Sequence, residues 1–115
     1  FHMGFTQTGF SPNFTSNLNQ QAQHIAAIIT EVNGRGYASL EPTAKAEDDY
    51  VRLVNAPNQM TDYLAACTPG YYNAEGTSQG NEGFLQGHYP DGGVQFYEML
   101  ANWRARGDLA GLHLA

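Results

Sequence analysis

The stretch Gly4–Ala27, GFTQTGFSPNFTSNLNQQAQHIAA, decides how the rest of the chain is read. Gly4 and Gly9 bracket Phe5-Thr6-Gln7-Thr8 and free the backbone to turn on either side of it. Ser11-Pro12 favours an extended or turn backbone ahead of a helix. From about Asn13 to Asn33 the apolar residues fall at Phe14, Leu18, Ala22, Ile25, Ile29 and Val32, with Ile28 beside them. That spacing predicts one apolar stripe on an amphipathic helix, with Asn19, Gln20, Gln23 and Thr30 opposite. The stretch therefore reads as the end of a short apolar strand (Phe1 to Phe5), a polar bend and a long helix. A chain that opens inside a strand is expected to be the tail of something larger.

Working outward, Gly34-Arg35-Gly36 supplies a helix stop with a basic residue near the negative helix end. Residues 37–41 form a short extended link. Pro42 and Thr43 are expected to start a second helix, with Pro42 in or near its first turn and Glu47 and Asp48 early. Ala46, Tyr50, Leu53 and Val54 make its expected inner face, and Ala56-Pro57-Asn58 ends it. A third, shorter helical piece begins at Gln59 or Thr61 and runs through Ala66. Residues 67–90 are rich in Gly and Tyr, and a loop this long in a small domain is usually functional or disordered. Its aromatic content argues against a mere linker. The last helix is predicted over about Val94–Arg106, with Phe96, Leu100 and Trp103 inward and Tyr97 and Met99 flanking. Leu112 to Leu114 is a candidate final strand.

The bulk numbers exclude several function classes. The chain has 115 residues, five Lys+Arg and a formal net charge of −6. Five scattered basic residues give no clustered footprint for nucleic acid or an anionic membrane. No apolar run approaches the ~20 residues of a spanning helix. Cys67 is the one cysteine, so neither an internal disulfide nor a CxxC metal site can form. A cytoplasmic location is expected.

Chemistry-bearing residues are sparse. His2, His24, His88 and His113 lack metal-ligand spacing and read as surface or packing residues. Glu47-Asp48-Asp49 reads as a solvated first turn that favours the helix dipole. Glu75 and Glu82 have no partner carboxylate at a useful spacing for acid–base work. Cys67 reads as a small core residue, with no base to make it a nucleophile. No catalytic residue and no metal site are expected. The bend before the first helix is different, because strand ends and helix N-termini expose backbone N–H groups to electron-rich ligand atoms. Gln7, Thr8, Ser11, Asn13 and Thr15 surround that point. A capped helix after a loop explains the same residues, and without a GxGxxG this is not a primary pyrophosphate site.

Three stretches carry a family resemblance. Phe1 to Phe10 with Asn13-Phe14-Thr15 and Gln20 to Ala26 resembles the C-terminal part of flavin-binding monooxygenases of the Baeyer–Villiger (cyclohexanone/steroid monooxygenase-like) type. Ala65 to Gly76, AACTPGYYNAEG, is similar to a tail signature of one branch. Gly92 to Ala105 resembles the family's closing helix. Together they cover nearly the whole chain. The resemblance implies an α/β parent fold, of which this chain is a mainly α-helical C-terminal fragment with one or two short strands and a long aromatic, Gly-rich loop.

It further implies that residues 1–36 are the last strand and helix of an FAD-binding Rossmann-like domain. Residues 37–115 are then a helical tail whose loop, about 67–90, covers cofactor and substrate. Family members use FAD, NADPH and O2 to insert one oxygen atom beside a ketone or to oxidise a heteroatom. By this resemblance Gln7, Thr8, Asn13 and Phe14 face the flavin, where a positive helix end stabilises negative charge on its pyrimidine edge. Thr68, Tyr71, Tyr72 and Asn73 belong to the substrate or nicotinamide loop. Thr68 stands at or near a position where many relatives have a cofactor-touching tryptophan. The family's glycine fingerprints and catalytic arginine lie upstream of Phe1 in full-length members, so the isolated chain is expected neither to bind FAD tightly nor to turn over. Self-association, or packing on the missing N-terminal portion, is expected of the apolar helix stripe. The alternative is a free-standing helical small-ligand binding or interaction module without catalysis.

Overall fold

The computed structural model describes residues 13–56, 62–63, 65–76 and 89–115. The expected strand Phe1–Phe5, Gln7 and Thr8 lie outside them, as does most of the second half of the aromatic loop. The described elements are α1 (Phe14–Gly34), β1 (Leu40–Pro42), α2 (Ala44–Val54), a 3₁₀ turn (Tyr71–Gly76), α3 (Gly92–Arg106) and β2 (Leu112–Leu114). The chain is thus mainly helical, with one two-stranded sheet among the described residues.

α1 starts where its chemistry dictates. Asn13 is extended, and its side-chain oxygen accepts from the Ser16 N–H at 3.1 Å and the Thr15 hydroxyl at 2.7 Å. This satisfies a first-turn donor that has no partner within the helix. At the other end Gly36 takes a left-handed φ of +79°, and the Tyr37 N–H reaches back to the Val32 carbonyl at 3.1 Å. The expected stop at Gly34-Arg35-Gly36 is borne out.

The second helix starts later than its sequence predicts. Pro42 is not in its first turn: it ends β1, paired with Leu112, and Thr43 caps α2 by accepting from the Ala46 N–H at 3.2 Å. Proline lacks the donor that a central strand needs, and it is tolerated in a short edge strand. The helix also ends earlier, at Val54 with Asn55 as its cap, before Pro57. Of its expected inner face, Val54 is buried and Ala46 and Tyr50 are half-buried, whereas Leu53 is exposed.

β1 and β2 pair antiparallel in the register Leu40↔Leu114, Glu41↔His113 and Pro42↔Leu112. The Ala115 carbonyl accepts from both the Ala38 and Ser39 N–H groups, and the Thr43 N–H donates to the Gly111 carbonyl at 2.8 Å. Gly111 has a φ of +88°, and a Cβ there would lie 3.1 Å from the Ala46 methyl. Only glycine lets the turn before β2 come this close to α2 without strain.

α3 leans on α1. The Tyr97 hydroxyl donates to Asn17 Oδ1, the His24 and Trp103 rings meet edge to face at 5.0 Å, and the Arg35 guanidinium donates to the Gly107 carbonyl. These contacts advance in the same direction along both helices, so α1 and α3 run roughly parallel. Among the described residues the buried apolar side chains are Val32, Val54, Phe96, Leu100 and Leu109. The inward face expected for α3 is borne out at Phe96 and Leu100, with Trp103 half-buried beside them.

α1 departs from expectation. The face it buries is not centred on its apolar stripe: Asn17 and Gln21 are buried, while Ala22 is exposed and Ile29 is 50% exposed. For Asn17 the cause is the neighbour, since Tyr97 of α3 donates to it, whereas both amide atoms of Gln21 are buried without a hydrogen-bond partner. Part of the apolar stripe is left on the outside.

Candidate functional site

Of the residues expected at the flavin, Asn13 and Phe14 fall among the described ones. Asn13 is exposed and acts as the α1 cap, and Phe14 is the first helical residue. The first turn of α1 carries no acidic side chain. Its backbone N–H groups therefore meet no competing carboxylate from within that turn. Gln7 and Thr8 lie outside the described residues.

The loop residues lie in a separate element. Thr68 is exposed and precedes the 3₁₀ turn, whose first residues are Tyr71 and Tyr72. Asn73 is 3% exposed. Its Nδ2 donates to the Cys67 carbonyl at 3.1 Å and the Thr68 carbonyl at 3.2 Å, and its Oδ1 accepts from the Gly70 N–H at 2.8 Å. Asn73 is thus turned toward the loop's own backbone, a role that its sequence neighbourhood does not announce. Cys67 is half-buried, and its thiol contacts the Tyr63 carbonyl at 3.3 Å.

The structure adds a feature the sequence reading missed. A cleft of about 540 Å³ opens between α1, α2, α3 and the turn before β2. His24, Tyr50, Phe96, Met99, Trp103 and Leu112 are among its walls. It is mostly apolar with a few polar groups, the usual make-up of a small-molecule pocket. Burial, helped by the positive charge of Arg104, holds His24 below the ordinary histidine range. His24 Nδ1 is buried without a hydrogen-bond partner. Burial, then the proximity of Tyr89, pushes the Tyr50 phenol up to about 12, so it remains a neutral donor at physiological pH. The Trp103 indole N–H donates to the Ala110 carbonyl at 2.9 Å and fixes one wall. The signal that could have found this cleft is the coincidence of His24, Tyr50 and Trp103 on inner helix faces, but no spacing rule links residues so far apart.

Among the described residues no group of three or more His, Cys, Asp or Glu is placed to hold a metal ion. No helix described is long and apolar enough to cross a membrane.

No family model matches the chain and no solved structure matches it. Curated proteins do. It is 35% identical over 115 residues to neopentalenolactone D synthase of Streptomyces avermitilis, covering 99% of this chain and 19% of that protein. It is 38% identical over 104 residues to a Baeyer–Villiger monooxygenase of Streptomyces coelicolor, covering 89% of this chain and 16% of that protein. It is 31% identical over 113 residues to the FAD-binding monooxygenase hmp7 of Hypomyces subiculosus, covering 97% and 19% respectively. Two of these relatives are monooxygenases by name. The chain belongs, as a segment, to the Baeyer–Villiger monooxygenase family, and it spans a minor part of the length of the relatives it matches.

Proposed function

We propose that this chain is the C-terminal part of an FAD- and NADPH-dependent monooxygenase that inserts one oxygen atom from O2 into a ketone. The observation that carries the reading is identity of 31–38% along almost the whole chain to proteins named as Baeyer–Villiger or FAD-binding monooxygenases. On this reading the parent fold is α/β, residues 1–36 close the FAD domain, and residues 37–115 form a tail over cofactor and substrate. The α1 end fits the flavin: a capped helix N-terminus without acidic residues favours negative charge on the ring's pyrimidine edge. Asn13, Phe14, Gln7 and Thr8 would hold that edge. FAD, when bound, supplies the redox chemistry. The chain's part is to orient the ring, to exclude water through the 67–90 loop, and to place Thr68, Tyr71 and Tyr72 beside nicotinamide and substrate.

The exposed part of the α1 stripe, with Ile29 at its centre, would pack on the rest of the parent or on a second copy. The deciding experiment expresses the complete reading frame. Bound flavin and ketone-dependent NADPH oxidation that yields an ester or lactone are expected. A complete protein that lacks glycine fingerprints and flavin overturns the proposal. The isolated segment, assayed alone, is expected to be inactive.

The 540 Å³ cleft favours one second reading, a small-ligand module without catalysis. Saturable changes in Trp103 fluorescence on adding small apolar ketones, with flavin absent, would support it.

A further inference from the structure

We propose that Asn73 is a positioning residue, which fixes the backbone that carries Thr68, Tyr71 and Tyr72 and does not itself touch a ligand. The proposal rests on the monooxygenase reading for what those three positions meet. Its structural half stands on hydrogen bonds and burial.

Segment 67–76 is closed on itself from three directions. The Asn73 amide holds the Cys67 and Thr68 carbonyls with its nitrogen and the Gly70 N–H with its oxygen. The Asn73 and Glu75 N–H groups return to the Gly70 carbonyl at 3.1 and 2.9 Å. Glu75 and Gly76 then take successive left-handed φ values of +56° and +74°. They fold the end of the segment back onto its start, so that a Cβ on Gly76 would sit 2.9 Å from Pro69 Cγ. One buried side chain thus satisfies backbone groups at three positions that would otherwise need water. A loop set before the ligand arrives spares the ordering cost at binding. Asn73, at 3% exposure, contributes no contact surface, whereas Thr68 is open to a partner.

The test uses the full-length flavin-loaded protein and two readouts. In Asn73→Ala, amide hydrogen exchange at Gly70 is expected to accelerate about tenfold, the loss of one net hydrogen bond. The KM for NADPH should rise by about the same factor, with more hydrogen peroxide released per NADPH, while kcat at saturation and flavin content stay close to wild type. Asn73→Asp keeps the acceptor for Gly70 but turns a carboxylate oxygen toward the Cys67 and Thr68 carbonyls, and it should move both readouts at least as far as Asn73→Ala. If Asn73→Ala does not fold, Gly76→Ala disturbs the same loop from its far end and should move both readouts the same way. Unchanged exchange in Asn73→Ala overturns the lock. Faster exchange with unchanged KM and peroxide release leaves Asn73 merely structural and overturns the positioning role. A flavin-free wild type that oxidises no NADPH removes the functional reading and this role with it, a result distinct from both.

Discussion

Single side chains set local features of this fold that can be measured one at a time. Asn13 caps α1, and Asn13→Ala should cost about 1 kcal/mol, seen as a lower midpoint in thermal unfolding. Leu109 is 3% exposed yet holds a left-handed φ of +53°. Burial of its side chain offsets a backbone strain of roughly 1–2 kcal/mol. Leu109→Ala keeps the strain, loses the burial, and should destabilise by about 2–4 kcal/mol in urea unfolding. His24 sets a pH dependence. Its folded pKa lies below the unfolded value, so the unfolded chain binds the proton more readily as pH falls below about 6.5. Stability is therefore fully present above that pH and drops on acidification until the folded group also titrates. In His24→Gln the fall between neutral pH and pH ~5 should be shallower, by denaturant midpoints at the two pH values. Tyr50 gives the opposite edge, because its folded pKa of about 12 lies above the unfolded one, so stability is lost as pH rises past the ordinary phenol range.

At the scale of elements, the sequence is readable where local rules suffice. The lengths of α1 and α3 follow from apolar period, the Asn13 cap and the glycine stops, and β2 lies where Leu112–Leu114 predicts it. Pro42 shows where such rules fail. A Pro-Thr pair suits a first helical turn or a strand followed by a cap, and the partner that decides, Leu112, lies near the far end of the chain. The buried polar face of α1 was hidden for the same reason, since Asn17 becomes an inside residue only once Tyr97 stands opposite. The cleft is assembled from α1, α2, α3 and the turn before β2, so no window of sequence contains it. Gly111 tests how these pieces meet. Gly111→Val adds a strained backbone and presses on Ala46, and it should cost about 1–3 kcal/mol while altering the Trp103 emission that reports the neighbouring wall.

Across the whole molecule, the last seven residues tie several elements together. β2 pairs with β1, Ala110 receives the Trp103 indole, and Leu109 fills the centre. Removal of residues 109–115 deletes all three at once. The expected result exceeds any single core truncation, roughly 3–5 kcal/mol, and is read as loss of a cooperative thermal transition. Retention of cooperative melting would show that the remaining elements hold together without these ties. The family resemblance was legible because likeness to the relatives runs along almost the whole chain. The local closure around Asn73 was not, because a side chain that bonds carbonyls five and six residues back leaves no repeating pattern.

The shared direction of α1 and α3 has an electrical consequence. Two peptide dipoles laid side by side add instead of cancelling, and their amino ends, near Asn13 and Gly92, lie at the same end of the pair. The amino ends then form a positively polarised pole, with Asp91 at the α3 cap, and the carboxyl ends a negative pole that Arg35, Arg104 and Arg106 surround. Added salt should weaken the field at these exposed helix ends along with the diffuse acidity of the rest.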